Sequence, residues 1–125
     1  MPFQFSKQEK LKSRSIIGDL FDKGLSLKQS PLKLIYAKID PPLEPKIQFA
    51  VAVPKKSFKG AVERNRIKRL IREAYRLNKG EFFNNIEGSY ALLFLYLGKE
   101  MPTFDTIEKP LISILENLIN RTNEK

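Results

Sequence analysis

Residues 90–97 read YALLFLYL, eight consecutive apolar side chains without a charge. The run is far shorter than the roughly 18 residues that span a bilayer, and it suits a β-strand covered on both faces. A chain carrying such a strand needs a sheet and layers to lay on it. Residues 47–53 alternate large side chains (Ile47, Phe49, Val51, Val53) with smaller or polar ones (Gln48, Ala50, Ala52), which is strand periodicity. Leu32–Ile39 reads as a further strand, and the proline-rich DPPLEP of residues 40–45 can only be a connection.

Helical signals alternate with these strands. Ser6 and Glu9 have capping-box spacing ahead of Leu11, Ile16, Ile17, Leu20 and Phe21, with Gly24 as the stop. Gly18 within that helix costs about 1 kcal/mol relative to alanine. A basic helix is expected from about residue 60 to 77, followed by a polar turn region ending at Gly88. Thr103 caps a last helix through Phe104, Ile107, Leu111, Ile114, Leu115 and Leu118, in which Pro110 should make a kink or mark the true first turn. The order helix, strand, strand, helix, strand, helix predicts one domain over residues 1–125, a single sheet with helices packed on it.

Charge is concentrated. The chain of 125 residues carries +9, but residues 55–79 hold ten basic side chains and two acids, a net +8, leaving +1 for the rest. Within that window lies RNRIKRLIREAYR, residues 64–76, six positive charges against the single Glu73. Like charges three or four apart destabilise a helix by a few tenths of a kcal/mol per pair, so folding alone does not favour the crowd. At about 100° per residue, Ile67, Leu70, Ile71, Ala74 and Leu77 gather on one apolar face. Asn65, Lys68, Arg69, Arg72 and Arg76 fall on the opposite side, flanked by Arg64 and Arg66. A polyanion is the expected partner, and arginine suits bidentate phosphate contacts. Lys55, Lys56, Lys59 and the helix N-terminus near Gly60 extend the same potential. No tight helix precedes at helix-turn-helix spacing, which favours RNA over a DNA major groove.

The chain has no histidine and no cysteine, closing imidazole catalysis, thiolate metal sites and disulfides. A protein-only nuclease would need clustered acids; Asp19 and Asp22 share part of a helix face, but Asp40, Glu63 and Glu73 show no joint spacing. The N-terminal MPFQFSKQEK has no apolar core before a cleavage site, so a cytoplasmic protein without a membrane partner is expected.

The run Lys55-Lys56, Ala61-Val62, then Arg64-Asn65-Arg66-Ile67-Lys68-Arg69-Leu70-Ile71-Arg72-Glu73-Ala74-Tyr75 resembles the signature of the bacterial ribonuclease P protein subunit. Lys10-Leu11-Lys12 and Phe21-Asp22-Lys23-Gly24 resemble that family's first helix and its stop. The resemblance implies an α/β (α+β) two-layer sandwich of the ribosomal protein S5 domain 2-like kind. Its four-stranded sheet, one more strand than the periodicities give, would be packed with helices and contain a left-handed βαβ crossover. It further implies the accessory protein of a ribozyme that removes the 5′ leader of precursor tRNA, with magnesium held mainly by the RNA subunit and substrate and no obligate protein partner. Carried over by motif, Lys55, Lys56, Arg64, Asn65, Arg66, Lys68, Arg69, Arg72 and Arg76 would bind the catalytic RNA. Ile17, Phe21, Leu34, Tyr36, Lys38, Ala50 and Ala52 would line a cleft for the single-stranded leader, where aromatics beside positive charge suit stacking. The sequence departs from the family pattern at Ile17, usually aromatic, at Pro54, usually serine, and in residues 57–60, one residue longer than usual. A ribosomal or ribosome-assembly protein that clamps folded RNA without a substrate is the alternative.

Overall fold

A computed structural model describes residues 24–39, 47–84 and 88–123. Its elements are β1 (Leu25–Gln29), β2 (Leu32–Ile39), β3 (Ile47–Ala52), α1 (Ala61–Phe83), β4 (Ser89–Tyr96) and α2 (Phe104–Asn123). The expected first helix, with Ile17, Phe21, Asp19 and Asp22, lies outside the described residues, as does Asp40.

The sheet has the order β1-β2-β4-β3. β1 and β2 form an antiparallel hairpin around Ser30 and Pro31, β2 pairs antiparallel with β4, and β3 runs parallel to β4. A parallel pair needs a crossover, and α1 supplies it between β3 and β4. β4 is therefore interior, and its residues are buried on both faces, as the unbroken apolar run requires.

One face of the sheet carries the main core. Leu32, Leu34 and Tyr36 of β2, Phe49 of β3 and Leu92 and Phe94 of β4 meet Ile67, Ile71, Ala74 and Tyr75 of α1 and Ile107, Leu111, Ile114, Leu115 and Leu118 of α2. The Phe49 and Tyr75 rings stack with centroids 4.0 Å apart and planes 5° from parallel. Phe94 lies tilted against both. The opposite face holds a second, smaller cluster: Ile35, Ala91 and Leu93, bordered by Ala37, Ile39, Ala50, Ala52 and Leu95.

Three expectations change. β1 was absent from the periodicity reading because only Leu27 of its five residues is buried, leaving too short an alternation to register. α1 runs to Phe83 rather than ending near residue 77. Phe82 and Phe83 pack against the core and carry the helix past Gly80, while the Asn78 side-chain amide donates to the Ala74 carbonyl at 2.8 Å and to Glu108 of α2 at 3.2 Å. Leu77, expected on the packing face, is exposed; Tyr75 takes the buried place. Pro110 lies inside α2 without ending it. As expected, Thr103 caps α2: its Oγ1 accepts from the Thr106 N–H at 3.3 Å, while the Thr103 N–H donates to Thr106 Oγ1 at 2.9 Å.

The loop after β4 folds back closely. The Tyr96 hydroxyl donates to the Glu100 carbonyl at 2.6 Å, and burial, with the nearby Glu100 charge, raises its pKa. A Cβ at Gly98 would overlap that hydroxyl. Gly98→Ala should therefore displace the Tyr96 ring and cost about 1–3 kcal/mol, measurable as a lower midpoint in urea unfolding.

Candidate nucleic-acid interface

α1 is seated by its apolar side, and that seating decides which charges face outward. Ile67, Ile71, Ala74 and Tyr75 are fully buried, so Asn65, Arg66, Arg69 and Arg72 stand exposed on the far side, with Lys68 half-buried beside them. No carboxylate among the described residues pairs with Arg66, Lys68, Arg69 or Arg72. Val62, 82% exposed, stands one turn before Arg66 and two before Arg69 within the same ridge.

The two ends of the stripe behave differently. Arg76 pairs with Glu73: its Nε donates to Glu73 Oε2 at 3.1 Å, and its Nη2 bonds to Oε1. This hydrogen bond lowers the Glu73 pKa, so the pair is intact above the ordinary carboxylate range and is lost only as pH falls through the lowered value. Being half-buried and open to solvent, it adds little stability. Glu73→Gln should leave the fold intact, remove the one negative charge beside the stripe, and raise affinity for a structured RNA about two- to fivefold at low salt, checked by filter binding.

At the other end, Arg64 Nη1 donates to the carbonyls of Phe58 at 2.8 Å and Lys59 at 2.7 Å. The guanidinium thus ties down the loop leading into the helix. Phe58 from the same loop is buried against Tyr96, with ring centroids 5.9 Å apart. The 57–60 connection is thus pinned at Phe58. Pro54 starts the turn, its carbonyl accepting from the Ser57 and Phe58 N–H groups at 3.4 Å each. Lys55, Lys56 and Lys59 are left exposed on that anchored loop. The helix N-terminus is less open than the sequence implies: Gly60 gives no side-chain cap, and the Glu63 carboxylate folds back beside it.

The expected leader residues do not form one set. Cross-strand pairing puts Leu34 opposite Phe94, Tyr36 opposite Leu92 and Lys38 opposite Tyr90, on the face covered by α1 and α2. Leu34 and Tyr36 are buried there, and only Lys38 is exposed. Ala50 and Ala52 pair with Leu93 and Leu95 on the opposite face, beside Ile35 and Ala37. The sheet therefore separates Leu34, Tyr36 and Lys38 from Ala50 and Ala52. Sequence reasoning missed Ile35 and Ala37, whose small-and-apolar alternation with Ala50 and Ala52 becomes visible only once the register is known.

Among the described residues no group of three or more histidine, cysteine, aspartate or glutamate side chains is placed to hold a metal ion. No described helix is long and apolar enough to cross a membrane.

A model of the family described as ribonuclease P matches residues 5–119. The chain is 38% identical over 124 residues to the ribonuclease P protein component of Porphyromonas gingivalis, covering 93% of this chain and 90% of that one. It is 34% identical over 125 residues to the ribonuclease P protein component of Chlorobium phaeobacteroides, covering 90% and 86%. In fold it is similar to Staphylococcus aureus RNase P protein, with a TM-score of 0.71 at 20% identity over 90% of this chain and 96% of that one.

Proposed function

The chain belongs to the ribonuclease P protein family, and we propose that it binds the catalytic RNA of that endoribonuclease through α1 and steadies the 5′ leader of precursor tRNA along its sheet. The observation that carries this reading is the outward ridge of Asn65, Arg66, Lys68, Arg69 and Arg72, built on a buried apolar face and left without carboxylate partners among the described residues. Such a ridge repels itself until phosphates neutralise it. Lys55, Lys56 and Lys59 lengthen the footprint on a loop held by Arg64, which acts here by positioning. Arg76 joins the ridge at reduced charge.

The leader belongs on the sheet face that carries Ala50 and Ala52, since both described helices occupy the other. Small side chains there let a sugar-phosphate backbone approach closely, and Ile35, Ala37 and Leu95 give it an apolar floor. Ile17 and Phe21 remain candidates for the same cleft. The chain carries no histidine and no acid cluster among the described residues, which supports a division of labour. The RNA subunit, with its magnesium, carries the hydrolysis, and the protein supplies affinity and register in the cytoplasm.

Reconstitution tests this. Added to the catalytic RNA, the protein should raise affinity for precursor over mature tRNA and lower the magnesium needed for cleavage. Equal binding of precursor and mature tRNA with and without protein would remove the leader role, and preferential binding to ribosomal RNA fragments would support an assembly factor instead.

A further inference from the structure

The phosphates that neutralise the ridge give no partner to the branched apolar side chain standing in it. Val62 is the most exposed large apolar residue among those described, at 82% against 60% or less for Leu25, Leu77, Leu97 and Met101. It belongs to neither apolar cluster of the protein. Isolated exposed apolar side chains are ordinary on protein surfaces, so exposure alone assigns nothing. Its neighbours distinguish it. Asn65 and Arg66 follow at three and four positions, where helical side chains meet about 5–6 Å apart, and Arg69 lies one turn beyond. All three are exposed, and neither arginine has a carboxylate partner among the described residues. Glu63, the acid next in sequence, folds back beside Gly60.

Folding does not account for a valine there. A β-branched residue is a weaker helix former than alanine, and with no core contact to gain, valine at this position costs helix stability instead of adding it. Binding does account for it. Water leaves the tip only when a partner seats on the ridge, and the tip then meets whatever lies between the phosphates that Arg66 and Arg69 hold. In a continuous A-form duplex that region offers 2′-hydroxyls, base edges and phosphate oxygens, all polar. An unpaired base, splayed out at a loop, bulge or helix end, offers an apolar ring face. Arginine contacts to phosphate position a protein but do not read such structure; an apolar tip among them does.

We propose that Val62 packs on the face of an unpaired base of the catalytic RNA and so selects folded RNA over plain duplex, while the flanking arginines supply affinity. The inference rests on the RNA-binding reading of α1. It adds to that reading a contact that salt does not screen, since burial of apolar surface, unlike phosphate neutralisation, releases no counterions.

Filter binding across a salt series tests this, with ribonuclease P RNA and a fully paired RNA duplex as the two probes. Val62→Ala removes two methyl groups and should weaken binding to ribonuclease P RNA about three- to tenfold, with the salt slope and the affinity for duplex unchanged. Val62→Ile keeps a branched apolar tip and should bind ribonuclease P RNA within about twofold of the parent chain. The urea midpoint of the alanine variant should be equal or higher, which separates the loss of affinity from the fold. Arg66→Ala with Arg69→Ala should weaken binding to both probes and flatten both slopes. If the arginine pair does so while Val62→Ala binds both RNAs as the parent chain does, the ridge stands and the Val62 assignment is overturned. An equal loss on duplex and on folded RNA overturns it as well. If the arginine pair changes neither, the RNA-binding reading of α1 falls and the Val62 assignment falls with it.

Discussion

Replacing Arg66, Arg69 and Arg72 together with alanine is expected to lower affinity for ribonuclease P RNA by about 10³-fold near 0.1 M salt, roughly tenfold per phosphate contact. The expectation follows from where the helix is anchored. These three side chains are exposed and without a carboxylate partner among the described residues, so no described residue competes for them. If about six phosphates are neutralised, the slope of log affinity against log salt lies near about −4 to −5, and the triple variant should flatten it by nearly three. Stability should hold or rise, because mutually repelling charges have been removed from one helix. A weaker affinity with an unchanged slope would mean that the arginines act through the fold and not through phosphates.

The second large effect is on the fold. Phe49→Ala should destabilise the protein by about 3–5 kcal/mol, a loss typical of deleting a buried aromatic ring. Phe49 stacks on Tyr75 of α1 and packs against Phe94 of β4, so its ring joins the basic helix to the interior strand. By ordinary scaling the melting temperature should fall by about 10–20 °C in calorimetry. RNA affinity measured well below that temperature should fall less than in the arginine variant. The reverse order would place the energetics of RNA binding in the core and not in the ridge.

Much of this arrangement was legible in the sequence because periodicity encodes faces. The apolar spacing of Ile67, Ile71 and Ala74 fixed which side of α1 is buried and hence which arginines are free. The unbroken run around Leu92 and Phe94 announced a strand covered on both sides. Capping chemistry at Thr103 was readable for the same reason: it is local. Pairing is not local. Ala50 faces away from Tyr36 because β3 aligns with β4 in one particular register, Ala50 with Leu93, and no single strand carries that information. The continuation of α1 through Asn78 and Gly80 was hidden likewise, since a propensity reading sees turn formers where tertiary contacts from Phe82, Phe83 and Glu108 hold a helix. Arg64 looked like one more free cation until the Phe58 and Lys59 carbonyls came within its reach.

The absence of cysteine makes a direct test possible. Val62→Cys places a unique attachment point inside the ridge without removing any of its charges, and Glu116→Cys places one on the exposed side of α2. With a photo-crosslinker on each, and ribonuclease P RNA as the target, position 62 should crosslink strongly, with salt suppressing the yield, and position 116 weakly. Efficient crosslinking from position 116 with none from position 62 would contradict the assignment of α1 as the RNA-binding face.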